Sequence, residues 1–204
     1  MQSSGIKAVL FDFGGVLAEL RAEAHLLPLI GHRLSREEMW ACWGRSPAVR
    51  AHETGRISAA QFSEQIVTEL KLDVAPVEFL AGFRDWIVGP FAETHDLIRD
   101  VAVRHTTALV TNTSALHWPV IEALDVLPYM HHVFASFQIG RIKPDHDYFD
   151  HVIGHLGIAP AEVVFFDDSP LNVAAARELG LNAYQVEGAA AVRQQLTILG
   201  MLPK

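Results

Sequence analysis

Polar residues stand at four places in this 204-residue chain where predicted strands end or the following loop begins. Each place lies beyond an apolar run, and together they span most of the sequence. Because the carboxyl ends of parallel strands meet at one edge of a sheet, we expect these side chains to converge. They are Asp12 in VLFDFGGVL, Thr111 and Asn112 in LVTNTS, Lys143 in GRIKPD, and Asp167 and Asp168 in VVFFDDSPLN.

These residue types suit displacement at a phosphorus atom that carries negative oxygens. A carboxylate such as Asp12 can attack phosphorus and form an acyl phosphate. Further carboxylates and a backbone carbonyl suit Mg²⁺, which would offset the repulsion between nucleophile and substrate. A hydroxyl, an amide and an ammonium group can hold the equatorial oxygens as charge spreads over them. Alone, each residue could be a turn residue, a helix cap or a solvated lysine; their combination favours a site.

The elements that position these residues alternate between helix and strand after residue 93. A first strand at residues 8–11 precedes them and is apolar throughout, as central parallel strands are. The alternation is typical of a parallel sheet with helices on its faces. We predict strands at 106–111, 132–136, 163–167 and 183–186, and helices at 93–105, 114–124, 145–156, 171–179 and 189–199.

Residues 20–90 interrupt the alternation, contain no convincing strand and show helical periodicity. Ser35 with Glu38 fits a capping box at the start of one helix. The predicted fold class is therefore α/β: a Rossmann-like three-layer core with a parallel sheet, and an inserted all-helical cap. The core comprises residues 1–18 and 93–204, and the cap residues 19–92. The cap helices are predicted at 22–30, 35–43, 58–70 and 76–88.

The composition of the chain limits the kinds of partner and compartment that we expect for this protein. The formal net charge is −8, and no basic residues cluster, so we expect no nucleic-acid partner. No apolar run approaches the length of a membrane span, and MQSSGIK lacks the apolar region of a signal peptide. A single cysteine, Cys42, suits a reducing compartment. We expect a cytoplasmic protein without membrane contact, acting as a monomer or homodimer on a small molecule.

The segments DFGGVL, TN, KP and FFDDSxxN resemble the four motifs of the haloacid dehalogenase superfamily, in order and over essentially the whole chain. The chain is most similar to its phosphatases of the type of bacterial α-glucose-1-phosphate phosphatase and the N-terminal domain of soluble epoxide hydrolase. HETGRIS at residues 52–58 adds to that similarity. The resemblance implies an Mg²⁺-dependent phosphomonoesterase that acts on a small phosphorylated metabolite, for example a sugar phosphate, through an aspartyl phosphate.

The resemblance also implies a metal site. Asp12 would be both the nucleophile and a ligand of Mg²⁺. The backbone carbonyl of Gly14 and the carboxylate of Asp168 would be further ligands, and Asp167 would bind directly or through water. Asn172, one helical turn past Asp168, would orient this site by contacting its ligands.

For the substrate, the resemblance implies that Thr111, Asn112 and Lys143 bind the phosphate group. Lys143 would also contact Asp12, which makes these two residues the catalytic pair. Specificity would come from the cap, where we expect the region 41–57 to contact the leaving group.

One position departs from the family pattern. Most phosphatases of the superfamily carry a second Asp two residues after the nucleophile, and it serves as general acid and base. Here that position is Gly14, which retains the carbonyl ligand but has no group that transfers a proton. General acid–base help is worth about 10²–10⁴-fold, so its loss should slow the reaction. A good leaving group, a bound water or another acid could compensate for this loss. The candidate acids are Glu19, His52 and Glu53 of the cap, and His117 after the TNTS segment.

Two other functions stay open at this stage. A 2-haloacid dehalogenase also uses an Asp nucleophile and also lacks the second Asp, but it needs no metal. The pair Asp167 and Asp168 would then place unwelcome charge beside its nucleophile. A non-catalytic module could instead have kept the phosphate site and lost the acid, although the intact nucleophile, lysine and acid pair argue against such decay.

Overall fold

The computed structural model of this protein describes residues 5–31 and 33–203. The ends of the predicted core domain, residues 1–4 and Lys204, lie outside the described residues, as does His32 in the predicted cap. The strands are β1 (Ala8–Phe11), β2 (Ala18–Leu20), β3 (Ile87–Pro90), β4 (Thr106–Thr111), β5 (His132–Ala135), β6 (Val163–Asp167) and β7 (Asn182–Gln185).

Five of these strands form one parallel sheet in the order β5-β4-β1-β6-β7. The central strand β1 is fully buried, and its residues alternate between two apolar clusters on opposite faces of the sheet. Val9 and Phe11 belong to one cluster, and Ala8 and Leu10 to the other. Helices cover both faces, which confirms the predicted three-layer α/β class.

The helices follow the predicted order with two additions, a helix at residues 47–53 and a short one at 136–139. The helix predicted to begin at residue 114 begins only at residue 118, after a turn. No helix within the described ranges is long and apolar enough to cross a membrane. The helices are α1 (Ala22–Ile30), α2 (Arg36–Arg45), α3 (Pro47–Glu53), α4 (Ala59–Glu69), α5 (Pro76–Arg84), α6 (Thr94–Ala102), α7 (Trp118–Ala123), α8 (Ser136–Ile139), α9 (His146–Leu156), α10 (Pro170–Glu178) and α11 (Ala189–Ile198).

Helices α1 to α5 pack around an apolar cluster of their own, separate from the two clusters of the sheet. Phe62 and Phe79 are fully buried in it, and Trp43 is nearly so. Ser35 and Glu38 form the predicted capping box, with both hydrogen bonds present. A helical unit with its own core, inserted after β2, is the arrangement expected of a cap; its limits at residues 19 and 92 stay a prediction.

Two features of residues 20–90 correct the sequence-based description. The prediction that this stretch contains no strand is wrong, because β2 pairs antiparallel with β3, with Ala18 opposite Pro90. This pairing joins segments about 70 residues apart and leaves no local periodicity. The helix α3 was also missed, although Ser46 accepts a hydrogen bond from the N–H of Val49 and Pro47 occupies the first turn, which is a recognisable start signal.

Candidate active site

Asp12 lies directly after β1, at the carboxyl end of the central strand. Its backbone N–H donates to the carbonyl of Phe166 at 2.9 Å, which continues the pairing of β1 with β6. In that register Phe11 stands opposite Phe166, so Asp12 and Asp167 follow as neighbours at the same edge. The sheet therefore brings two carboxylates that are 155 positions apart to one place.

Lys143 lies between these two carboxylates. Its Nζ donates to Asp12 Oδ1 at 2.8 Å, to Asp167 Oδ2 at 2.6 Å and to the carbonyl of Val110 at 2.8 Å. The side chain is 1% exposed, so all three donors of the ammonium group are used inside the protein. Burial alone would lower the pKa of Lys143, but Asp12 and Asp167 raise it, which keeps the group charged. The carbonyl acceptor was not predicted, because backbone groups carry no residue-type signal.

The loop that carries Lys143 is held by Asn112. The Nδ2 of Asn112 donates to the carbonyl of Lys143 at 2.9 Å, and its Oδ1 accepts from the backbone N–H of Lys143 at 2.9 Å. Thr111, the last residue of β4, is buried beside it. The structure thus joins Asn112 to the Lys143 loop and places Thr111 next to Asn112 in the chain, and contact of these residues with phosphate stays a prediction.

Asp167 is fully buried and accepts hydrogen bonds on both oxygens. The backbone N–H of Ser169 donates to Oδ1 at 2.8 Å, and Asn172 Nδ2 lies 3.0 and 3.1 Å from the two oxygens. Asn172 sits in the first turn of α10, so the helix that follows β6 fixes the carboxylate at the end of that strand. The structure places Asn172 against Asp167 and not against Asp168.

Three carboxylates form a cluster at this edge, because Asp12, Asp167 and Asp168 offer oxygens that all lie within 4.8 Å of one another. Desolvation raises the pKa of Asp12 to about 7 and that of Asp168 to about 6, and the charge of Asp167 acts in the same direction on both. A cation would offset this repulsion. The donor set therefore fits Mg²⁺, which prefers carboxylate oxygens.

Gly15 allows the first loop to approach this cluster closely. Its φ of +74° lies in the left-handed region, and a Cβ built on it would stand 2.8 Å from Cγ of Asp168. A side chain at residue 15 would therefore be strained and would collide with the acidic cluster. The glycine keeps the loop after β1 next to the loop after β6.

The comparisons with known proteins agree with this geometry. Residues 6–180 match the family model of the haloacid dehalogenase-like hydrolases. A D-ribitol-5-phosphate phosphatase of Bacteroides thetaiotaomicron is 25% identical over 206 residues, which cover 95% of this chain and 98% of that protein. A sesquiterpene phosphatase of Aspergillus oryzae is 27% identical over 182 residues, covering 86% and 87%.

One solved structure is similar to this protein over most of the length of both chains. A haloacid dehalogenase family enzyme of Bacteroides thetaiotaomicron, in complex with magnesium and inorganic phosphate, superposes with a TM-score of 0.70 at 25% identity. The match covers 89% of this chain and 94% of that one. The chain belongs to the haloacid dehalogenase-like hydrolase family, as its motifs predicted.

Proposed function

We propose that this protein is an Mg²⁺-dependent phosphomonoesterase that acts on a small phosphorylated metabolite through an aspartyl phosphate on Asp12. The observation that carries the proposal is the position of Lys143, whose ammonium group contacts both Asp12 and Asp167 at the centre of a three-carboxylate cluster. A buried cation beside a nucleophilic carboxylate fits attack on a phosphate dianion, where negative charge must be offset throughout.

In the proposed reaction, Asp12 Oδ attacks phosphorus, and the ammonium of Lys143 holds the nucleophile through Oδ1 and stabilises the negative charge of the phosphate. Asn112 keeps Lys143 in place through its two backbone contacts, and Thr111 offers a hydroxyl to the phosphate. Asp12, Asp168 and the carbonyl of Gly14 would hold Mg²⁺. When bound, the metal supplies charge stabilisation to nucleophile and phosphate. Asp167, whose oxygens are occupied by other donors, chiefly fixes Lys143.

The name of one relative favours a phosphate ester of a primary alcohol. Ribitol 5-phosphate, the compound in that name, carries its phosphate on a terminal carbon of a polyol chain. We propose that the leaving group is a sugar or polyol and that it is contacted by the cap, in the region 41–57 expected to set specificity.

The test is turnover of p-nitrophenyl phosphate with Mg²⁺, after chelation, and after Mg²⁺ is restored. We expect turnover that depends on the metal and falls on the order of 10⁴-fold or more in Asp12→Asn, as when a nucleophile is removed. Asp150→Asn is the matched control, because Asp150 is exposed on α9. No turnover by the wild type, or equal turnover by Asp12→Asn, would contradict the proposal.

The other two functions predict different results in the same assays. Release of halide from a 2-haloacid without metal would instead favour dehalogenation. Binding of inorganic phosphate and Mg²⁺ without turnover of any ester would favour a non-catalytic module. The acid cluster argues against the first, because a metal-free dehalogenase would hold its nucleophile beside Asp167 and Asp168 without a divalent cation.

A further inference from the structure

Gly14 has no side chain that could transfer a proton. A Cβ built on Gly14 would lie 2.6 Å from Cδ1 of Leu20, the end of a flexible and exposed side chain of β2 that covers this position. A side chain that transfers protons in this site must therefore come from elsewhere in the chain.

Three of the four candidates named from the sequence are poorly suited. The Nε2 of His117 lies 2.7 Å from the carbonyl of Phe83 and is occupied there. His52 stacks on Phe62 at 4.4 Å within the core of the cap. Burial lowers the pKa of His52 to about 4 and also lowers that of His117, so both are weak proton acceptors. Glu19 is exposed on β2.

Glu53 is held at the interface between cap and core by the contacts of α3. Arg50, one turn earlier on the same helix, forms a two-pronged ion pair with Asp145, two residues beyond Lys143. Residues three apart share a helix face, so Glu53 and Arg50 are both directed to the core. His52, one residue earlier, points instead into the cap. The last turn of α3 therefore presents Glu53 next to the loop of Lys143.

Gly55, two residues after Glu53, holds the end of α3 against the core through a second contact. Its φ is +72°, and a Cβ at this position would lie 2.9 Å from the carbonyl of Phe137 in α8. The backbone after Glu53 is thus seated directly on the core, and a larger residue would push it away. Glu53 thus lies between two contacts of the cap with the core, Arg50 with Asp145 and Gly55 with Phe137.

The charges of two site residues, Asp12 and Lys143, affect the carboxyl group of Glu53. Its side chain is half-buried, and it forms no salt bridge within residues 5–31 and 33–203. Burial raises the pKa of Glu53 to about 8, the charge of Asp12 acts in the same direction, and that of Lys143 opposes it. Such a carboxyl is protonated near neutral pH and can donate a proton, which is what a general acid requires.

We propose that Glu53 of the cap is the general acid and base of this enzyme and takes the role that Gly14 cannot fill. This inference rests on the proposed phosphatase function. It makes the cap part of the catalytic machinery as well as a lid over the substrate, because the carboxyl reaches the leaving oxygen only while α3 is docked on α8 and the Lys143 loop.

The proposed reaction proceeds in two steps. Asp12 Oδ forms a bond to phosphorus, the bond between phosphorus and the leaving oxygen breaks, and that oxygen takes the proton of the Glu53 carboxyl as the alcohol departs. In the second step the Glu53 carboxylate takes a proton from water, the water oxygen bonds to phosphorus, and the acyl-phosphate bond to Asp12 breaks. Alcohol and phosphate are released, and both carboxyl groups return to their starting states.

The experiment compares two esters of similar shape, p-nitrophenyl phosphate and benzyl phosphate, in wild type and Glu53→Gln with Mg²⁺. Nitrophenolate leaves without a proton, whereas benzyl alcohol needs one. We expect Glu53→Gln to lower kcat/KM for benzyl phosphate by about 10²–10⁴-fold and for nitrophenyl phosphate by less than about 10-fold. The ratio of the two values within one preparation is independent of the fraction of folded enzyme.

A second measurement, the time course of nitrophenolate release, reports on the hydrolysis of the aspartyl phosphate. Without its base, Glu53→Gln should release a burst of nitrophenolate stoichiometric with the enzyme and then turn over slowly, so that kcat falls while kcat/KM is kept. Glu53→Asp should recover part of the benzyl phosphate activity, and Glu64→Gln, an exposed glutamate of α4, should change nothing.

The possible outcomes separate the two proposals. An equal loss with both esters, no loss with either, or a wild type that hydrolyses nitrophenyl but not benzyl phosphate would overturn the role of Glu53 and leave the phosphatase function standing. A wild type inactive on both esters would contradict the phosphatase function, and the role of Glu53 would fall with it.

Discussion

The side chain of Asn112 binds the backbone of Lys143 twice, once as donor to its carbonyl and once as acceptor from its N–H, both at 2.9 Å. These contacts join the end of β4 to a loop that lies 31 residues further along the chain. Because the ammonium group of Lys143 must reach Asp12 and Asp167 together, the position of its backbone decides the geometry of the site. Asn112 is thus a positioning residue for Lys143, whatever it also offers to phosphate.

Replacing Asn112 by Ala should therefore reduce activity and stability together. We expect the free energy of unfolding to fall by about 1–3 kcal/mol, because a donor and an acceptor lose their partner. A displaced Lys143 should lower kcat/KM for nitrophenyl phosphate by up to about 10²-fold. Asn182→Ala is the control: it removes two hydrogen bonds to the carbonyls of Ala161 and Val163, far from the site. If it lowers activity as much, the positioning role is contradicted.

Lys143→Met should cost far more stability than the same change at the surface. It leaves Asp12 and Asp167 buried without their cation, a loss of about 3–5 kcal/mol in unfolding free energy. Lys7→Met breaks an ion pair with Glu162 at 2.7 Å in which the lysine is largely exposed, and should cost less than about 1 kcal/mol. Urea titrations at neutral pH with chelator measure both. Equal losses would show that the Lys143 contacts are not the buried network described here.

Glu53→Gln should stabilise the protein in a pH-dependent way. The pKa of Glu53 is raised from 4.5 to about 8 in the folded state, so between these values the folded protein binds more protons than the unfolded chain. Stability from this group is present below pH 4.5 and is lost as the pH rises towards 8. The variant should match the wild type near pH 4 and exceed it by on the order of a few kcal/mol near pH 8.5, since one pKa unit is worth about 1.4 kcal/mol.

Unfolding free energies measured in chelator across this range test the prediction, with Glu64→Gln as the control. If Glu53→Gln raises the free energy of unfolding by the same amount at every pH, the cause is a change in packing and not the charge of Glu53. A loss at high pH would mean that the folded protein stabilises the Glu53 carboxylate, contrary to the effects of its burial and of the charge of Asp12.

Magnesium should stabilise the folded protein through the acidic cluster. At a concentration 100 times the dissociation constant, a ligand of the folded state adds about 2.7 kcal/mol, which is visible as a rise in Tm. Asp168→Asn should lose most of that rise, whereas Asp150→Asn on the surface of α9 should keep it. The same shift in both variants would place the metal outside the cluster of Asp12, Asp167 and Asp168.

The sheet and most helices could be predicted because their signals are local. The buried run at 163–167 and the glycine that ends α9 at residue 157 are both readable within a few positions. The site residues could be predicted for a related reason: each stands at or beyond the carboxyl end of a parallel strand. Topology then determined that Asp12 and Asp167 are neighbours.

What could not be predicted depends on contacts between distant segments. The pairing of β2 with β3 and the ion pair of Arg50 with Asp145, 95 residues apart, leave no periodic trace in either segment. For the same reason, the sequence offered Glu53 only as one of four candidates for the general acid, together with Glu19, His52 and His117, and could not choose between them. The distinction between them came from the seating of α3 on the core.

A covalent phosphoryl group on Asp12 has a distinct stereochemical consequence at phosphorus. The enzyme transfers an isotopically chiral phosphoryl group from an aryl ester to an acceptor alcohol in the presence of Mg²⁺, and the configuration of the product is determined. Two successive in-line displacements, first on to Asp12 and then off it, predict retention of configuration. Inversion would mean a single direct attack on the ester, without a phosphoryl group on Asp12, and the proposed mechanism would be wrong.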